Sequence, residues 1–105
     1  MLTKVSTERI DKEIKKYPAD RKSSAVMSAL VIAQDEKGWL DKSVIEFIAK
    51  YLEMPPIAVW EVASFYNMYN LSKPGKFKIT ICTNLPCVLS GGENAAKYLK
   101  KSLGV

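Results

Sequence analysis

Two cysteines, Cys82 and Cys87, are the only thiols in the chain, and four residues separate them within KITICTNLPCVLSGGENAAKYL, from Lys78 to Leu99. The run before the pair alternates like a strand and the run after it reads as a helix. A thiol pair at such a junction suits a disulfide switch, a zinc site or an iron–sulfur cluster. A thioredoxin-type switch places two residues between its cysteines rather than four. A closed zinc site takes four Cys or His ligands, whereas this chain has two cysteines and no histidine. An all-thiolate [2Fe–2S] cluster also takes four cysteines, and Cys-x4-Cys is one spacing used for its first pair. A fourth reading has no chemistry: free cysteine is among the most buried residue types, and both thiols would sit in a core. Spacing alone leaves all four open.

The flanks of the pair bear on thiolate chemistry. The capping-box pattern Ser90-Gly91-Gly92-Glu93 predicts a helix start at Ser90. Its unpaired N–H groups and positive dipole end would favour thiolate over thiol and offset the charge of a cluster. Thr83, Asn84 and Leu85 offer backbone amides that can hydrogen-bond to sulfur, while Pro86 has none.

The elements that must position this loop can be read outward from it. Phe77, Ile79 and Ile81 alternate with Lys76, Lys78 and Thr80, which predicts a strand with one apolar face. Ala95, Ala96, Leu99 and Leu103 form the inward stripe of the last helix. Lys73-Pro74-Gly75 is a turn signature ahead of the strand.

Residues 1–65 carry helical periodicity throughout. Ser6 is a candidate N-cap, with Val5 and Ile10 placed as a hydrophobic staple, and Ile10, Ile14 and Tyr17 share a face until Pro18. A second helix is predicted from Ser23 to Lys37 with Gly38 beyond its end; on its stripe of Val26, Leu30 and Ala33 it should be the most buried helix. Asp41 caps a third, whose Ile45, Ile48, Ala49 and Leu52 recur at helical spacing. Pro55 and Pro56 suit the first turn of a fourth, with Val59, Val62 and Ala63 inward. Trp39, Trp60 and Tyr66 are read as core or contact residues rather than a cofactor box.

Composition narrows the function classes. With 105 residues, 48% hydrophobic and 26% charged, the chain has the balance of a folded domain. The absence of histidine removes imidazole as ligand, general base or pH switch. The net charge of +5 is uneven: residues 1–22 carry seven basic and four acidic groups, 23–65 three and six, and 66–105 six and one. All six basic residues of that last stretch are lysines, and Lys97, Lys100 and Lys101 fit one solvent face of a helix. That pattern suits a solvated face or an acidic docking partner rather than nucleic acid. No apolar run approaches the roughly 20 residues of a membrane span, and the N-terminus lacks a signal-peptide core, so a cytoplasmic chain with no direct membrane insertion is expected.

Three stretches, YPADRKSSAVMSALVIAQDEKGWL, EVASFYNMYNL at Glu61–Leu71 and KITICTNLPCVLSGG, together resemble the N-terminal portion of the E-subunit family of bacterial NADH–quinone oxidoreductase, respiratory complex I. The resemblance implies an α+β fold: a four-helix bundle over 1–65, then over 66–105 the first half of a thioredoxin-like α/β ferredoxin domain. It implies that Cys82 and Cys87 are the first pair of ligands to a [2Fe–2S] cluster, with Thr83, Asn84, Leu85 and Ser90 around it. The implied role is an electron-transfer subunit, without a substrate site of its own, that exchanges one electron with the FMN of an adjacent flavoprotein subunit. That partner also binds NADH, and the assembly forms the cytoplasmic arm of a membrane complex. Related subunits serve NAD-reducing hydrogenases and formate dehydrogenases. The family's second pair, Cys-x3-Cys, lies downstream, and no residue after Cys87 is cysteine. The sequence is therefore expected to be a fragment whose remainder supplies the other two ligands. The competing expectation is a cofactor-free helical interaction module with an inert or disulfide-bonded pair.

Overall fold

The computed structural model describes residues 1–105, which divide into two compact units, Met1–Gly75 and Lys76–Val105. In the first unit, α1 spans Lys4–Ile14, α2 Val26–Lys37, α3 Lys42–Tyr51 and α4 Pro56–Phe65, with a 3-10 turn at Lys22–Ala25 leading into α2. The second unit holds a short α5, Leu85–Leu89, and α6, Gly92–Leu103.

Helix α2 is the centre of the first unit, because it packs against α1, α3 and α4. Its Ala29, Leu30 and Ala33 are fully buried, and Val26 and Ile32 nearly so. Small alanines alternating with branched residues let three neighbours approach one helix closely. From α3, Val44, Ile45, Ile48 and Ala49 enter the same core, joined by Val59 and Ala63 of α4 and Ile10 of α1. Asp41 caps α3 as the sequence predicts, its carboxylate accepting from Val44 N–H at 2.8 Å. Pro56 opens α4, where its missing N–H removes no helical bond.

The start of α1 differs from expectation. Thr3, not Ser6, is the cap, its Oγ1 accepting from Ser6 N–H at 3.4 Å. The carboxylate of Glu36, near the end of α2, accepts from Thr3 N–H at 3.1 Å and from Thr3 Oγ1 at 3.0 Å. This clamp starts the helix one turn early, buries Ser6 and leaves Val5 68% exposed, so no staple forms. Tyr51 Oη donates to Asp11 Oδ1 at 2.6 Å, tying α3 to α1; that bond to the carboxylate raises the phenol pKa to about 12.

The first unit continues beyond α4 because residues 68–70 are held by α2. Gln34 donates from Nε2 to the Met68 carbonyl at 2.9 Å and accepts from Asn70 N–H at 2.6 Å. Leu40 N–H donates to the Asn70 carbonyl at 2.8 Å. Tyr69 is buried, with its hydroxyl donating to the Met27 carbonyl at 3.1 Å.

In the second unit the predicted strand over 77–81 is absent, and the protein is helical without strands. A strand is defined by ladder hydrogen bonds to a second segment, and the rest of this unit is α5 and α6. The α+β expectation is corrected accordingly.

Two measurements check this packing. Leu30→Ala should cost about 2–5 kcal/mol in urea unfolding, whereas Val31→Ala, at a position 41% exposed, should cost under about 1 kcal/mol. Hydrogen bonding from Ser6, with Thr3 and the charge of Lys37 assisting, lowers the Glu36 pKa from 4.5 to about 2. A depressed carboxylate stabilises above its unfolded pKa, and the effect is lost as pH falls through the folded one. Protection of the Thr3 amide in exchange NMR should therefore hold above pH 4.5 and fade as pH falls toward 2. Glu36→Gln should abolish that pH dependence.

Candidate functional site

The thiol loop is built by a cap, a short helix and a glycine pair. Asn84 Oδ1 accepts from Leu85 N–H at 2.9 Å and starts α5, which contains Pro86 and Cys87. Ser90 closes α5, its N–H donating to the Pro86 carbonyl at 3.1 Å. Its φ of −89° and ψ of 7° are far from the extended backbone of an N-cap. The predicted helix start at Ser90 is thus displaced to Gly92. Gly91, at φ 93°, makes the break between the helices in the left-handed region that glycine enters without a Cβ penalty.

Gly92 is required for a different reason. A Cβ there would lie 2.8 Å from the Cys87 carbonyl oxygen and 3.1 Å from that of Cys82. The two cysteine carbonyls therefore converge on one bare α-carbon, and the backbones carrying both thiols are held by the same contact.

Cys82 is exposed and Cys87 half-buried, and both are free thiols. Hydrogen bonding from the Asn84 backbone, and after it from the Cys87 side chain, holds the Cys82 pKa below the usual thiol value. Interaction with the Cys82 side chain, and then desolvation, raises the pKa of Cys87.

Asn84 directs its amide at sulfur, but Leu85 N–H is taken by the cap, with its side chain 67% exposed. Thr83 is exposed ahead of α5, and Ser90 closes that helix. Sequence reasoning missed α5 and the role of Gly92. The signals were a capping asparagine two residues before Pro86, and paired glycines directly after a five-residue turn.

Two cysteines whose backbones approach one another at Gly92 have the donor type for two of the four thiolate positions of a [2Fe–2S] cluster. No grouping of three or more Cys, His, Asp or Glu side chains stands ready to hold a metal ion. No helix is long and apolar enough to cross a membrane.

Comparison with known proteins agrees with this chemistry. The sequence profile of thioredoxin-like [2Fe-2S] ferredoxins matches residues 10–105. The E subunit of NADH-quinone oxidoreductase from Rickettsia prowazekii (strain Madrid E) is 46% identical over 93 residues, covering 88% of this chain and 52% of the relative. Its counterpart in Rickettsia typhi (strain ATCC VR-144 / Wilmington) is also 46% identical, with 88% and 55% covered. That of Rickettsia conorii (strain ATCC VR-613 / Malish 7) is 42% identical, with 100% and 68% covered. The chain spans about half the length of the first two relatives.

The opposed shifts of the two thiols make a checkable asymmetry. In pH-dependent alkylation followed by peptide mapping, Cys82 should react at lower pH than Cys87. Cys87→Ala should move the Cys82 midpoint upward, since one of its two stabilising bonds is lost.

Proposed function

Because the chain belongs to the thioredoxin-like [2Fe-2S] ferredoxin family, we propose that it is the electron-carrying part of an oxidoreductase E subunit, with Cys82 and Cys87 as two of four cluster ligands. The observation that carries this reading is the close approach of the Cys82 and Cys87 carbonyls to Gly92, which keeps the backbones of the two cysteines together. The relatives named above are subunits of an oxidoreductase. The activity proposed here is the passage of single electrons, within such a complex, to or from the FMN of a neighbouring NADH-binding flavoprotein subunit on the cytoplasmic side.

A bound [2Fe–2S] cluster supplies one-electron chemistry without proton transfer to substrate. The contributions of this chain are positional. Gly92 keeps the two cysteine carbonyls close, and α5 holds Cys87 at a fixed offset from Cys82. The Asn84 N–H stabilises negative charge on Cys82 sulfur, a lever that raises the potential of a thiolate-bound centre. The exposure of Cys82 leaves one edge of the site open to an electron partner. Five lysines against one glutamate in residues 76–105 favour approach to an acidic surface.

Anaerobic incorporation of ferrous iron and sulfide into the assembled protein tests the proposal. About two irons and two sulfides per chain are expected, with visible absorption and an electron spin resonance signal on reduction. Cys82→Ser and Cys87→Ser should each lose the native signal. Residues 1–105 alone, supplying two thiolates, should hold little or no cluster. An assembled protein without stoichiometric iron and sulfide would leave the cofactor-free interaction module as the better account.

A further inference from the structure

The two thiols are the only soft donors of the second unit. Residues 76–105 hold no histidine and no methionine, and Glu93 is their single carboxylate side chain. Cys82 is exposed, Cys87 is half-buried, and both are free thiols. Each belongs to a backbone stretch that reaches Gly92, where a Cβ would lie 2.8 Å from the Cys87 carbonyl oxygen and 3.1 Å from that of Cys82. Two segments that converge on one α-carbon are pre-organised, so less freedom is lost when both thiols take a common ligand.

Ligand number decides which ion such a pair can satisfy by itself. A closed zinc site and a [2Fe–2S] cluster each take four protein ligands. No group of three or more Cys, His, Asp or Glu side chains is at hand to supply them. Thiolate donors also select copper(I), a closed-shell monovalent ion that two thiolates saturate in a linear arrangement. That complex carries one negative charge, which suits a unit with five lysines and one glutamate.

We propose that Cys82 and Cys87, held together at Gly92, form a two-coordinate thiolate site for copper(I). The ion displaces one proton from each thiol to solvent and forms two copper–sulfur bonds, with no change of oxidation state. Exposure of Cys82 gives the ion its entry. The site uses the same sulfurs as the function proposed above but no ligand from outside the 105 residues, so it does not rest on that function. Copper(I) bound here takes both positions that a cluster would need from this chain.

The test titrates the anaerobic 105-residue chain, kept reduced by a non-thiol reductant, with copper(I) in competition with a colorimetric copper(I) chelator. One copper per chain is expected, with two sulfur neighbours in X-ray absorption and no change of particle mass in light scattering. Zinc at equal concentration should not displace it. Cys82→Ser and Cys87→Ser should each weaken binding at least about a hundredfold, the upper end of what a change outside the ligands already costs a metal site. Gly92→Ala should weaken it about tenfold, while hydrogen exchange across α2 stays unchanged and shows that the first unit is intact. Uptake below one equivalent, a copper-linked dimer, a third sulfur neighbour, or a single-cysteine variant that binds as tightly as the wild type would each overturn the proposal. Indifference to Gly92→Ala would overturn the part given to that contact. Failure to bind copper(I) leaves the cluster reading standing, because a cluster draws on two further thiolates, and an assembled protein without iron and sulfide leaves the copper(I) site standing.

Discussion

The thiol site depends on one close contact, the approach of the Gly92 α-carbon to the carbonyls of Cys82 and Cys87. A methyl group at 2.8 Å from an oxygen has nowhere to go, because both neighbours are backbone rather than pliable side chain. The contact sets the spacing of the two chain segments that carry sulfur. The chemical interest of the unit is therefore held by an atom that is missing, while the sulfurs themselves remain near the surface.

The two units reach stability by different routes. In the first, α2 buries alanine and leucine against three helices, and polar side chains tie the neighbouring segments down: Glu36 holds Thr3 at the start of α1, Asp41 caps α3 on Val44, and Gln34 holds residues 68–70. No buried side-chain nitrogen or oxygen is left without a partner. The second has its described helical hydrogen bonds within α5 and α6 and its apolar groups outside, so its local order comes from the helices themselves and the Asn84 cap. Chain of that kind opens readily, since few buried contacts resist it.

The helices of the first unit were legible because their signals are local. Asp41, Gly38 and Pro56 mark ends by their own chemistry, and the α2 and α3 stripes have unbroken helical spacing. The start of α1 was not, because Ser6 and Thr3 are equally good caps in isolation and Glu36, 33 residues away, decides between them. The extent of the first unit was hidden for the same reason, since nothing near Tyr69 announces that Gln34 will hold its neighbours. At the site, the cysteines and Asn84 were visible by type and spacing. Ser90 misled, because a capping box presumes free backbone, and the LPCVL turn had already drawn that residue into α5.

The grip of Gln34 on residues 68–70 has a further consequence for what the chain can tolerate. One side-chain amide there imitates a strip of backbone, giving a hydrogen to the Met68 carbonyl and taking one from Asn70. Glutamate matches its shape but has no hydrogen to give, and lysine has no lone pair to offer. Residue choice at position 34 is thus governed by hydrogen-bond grammar rather than by volume or hydrophobicity, so substitutions that look conservative by size are non-synonymous in the fold.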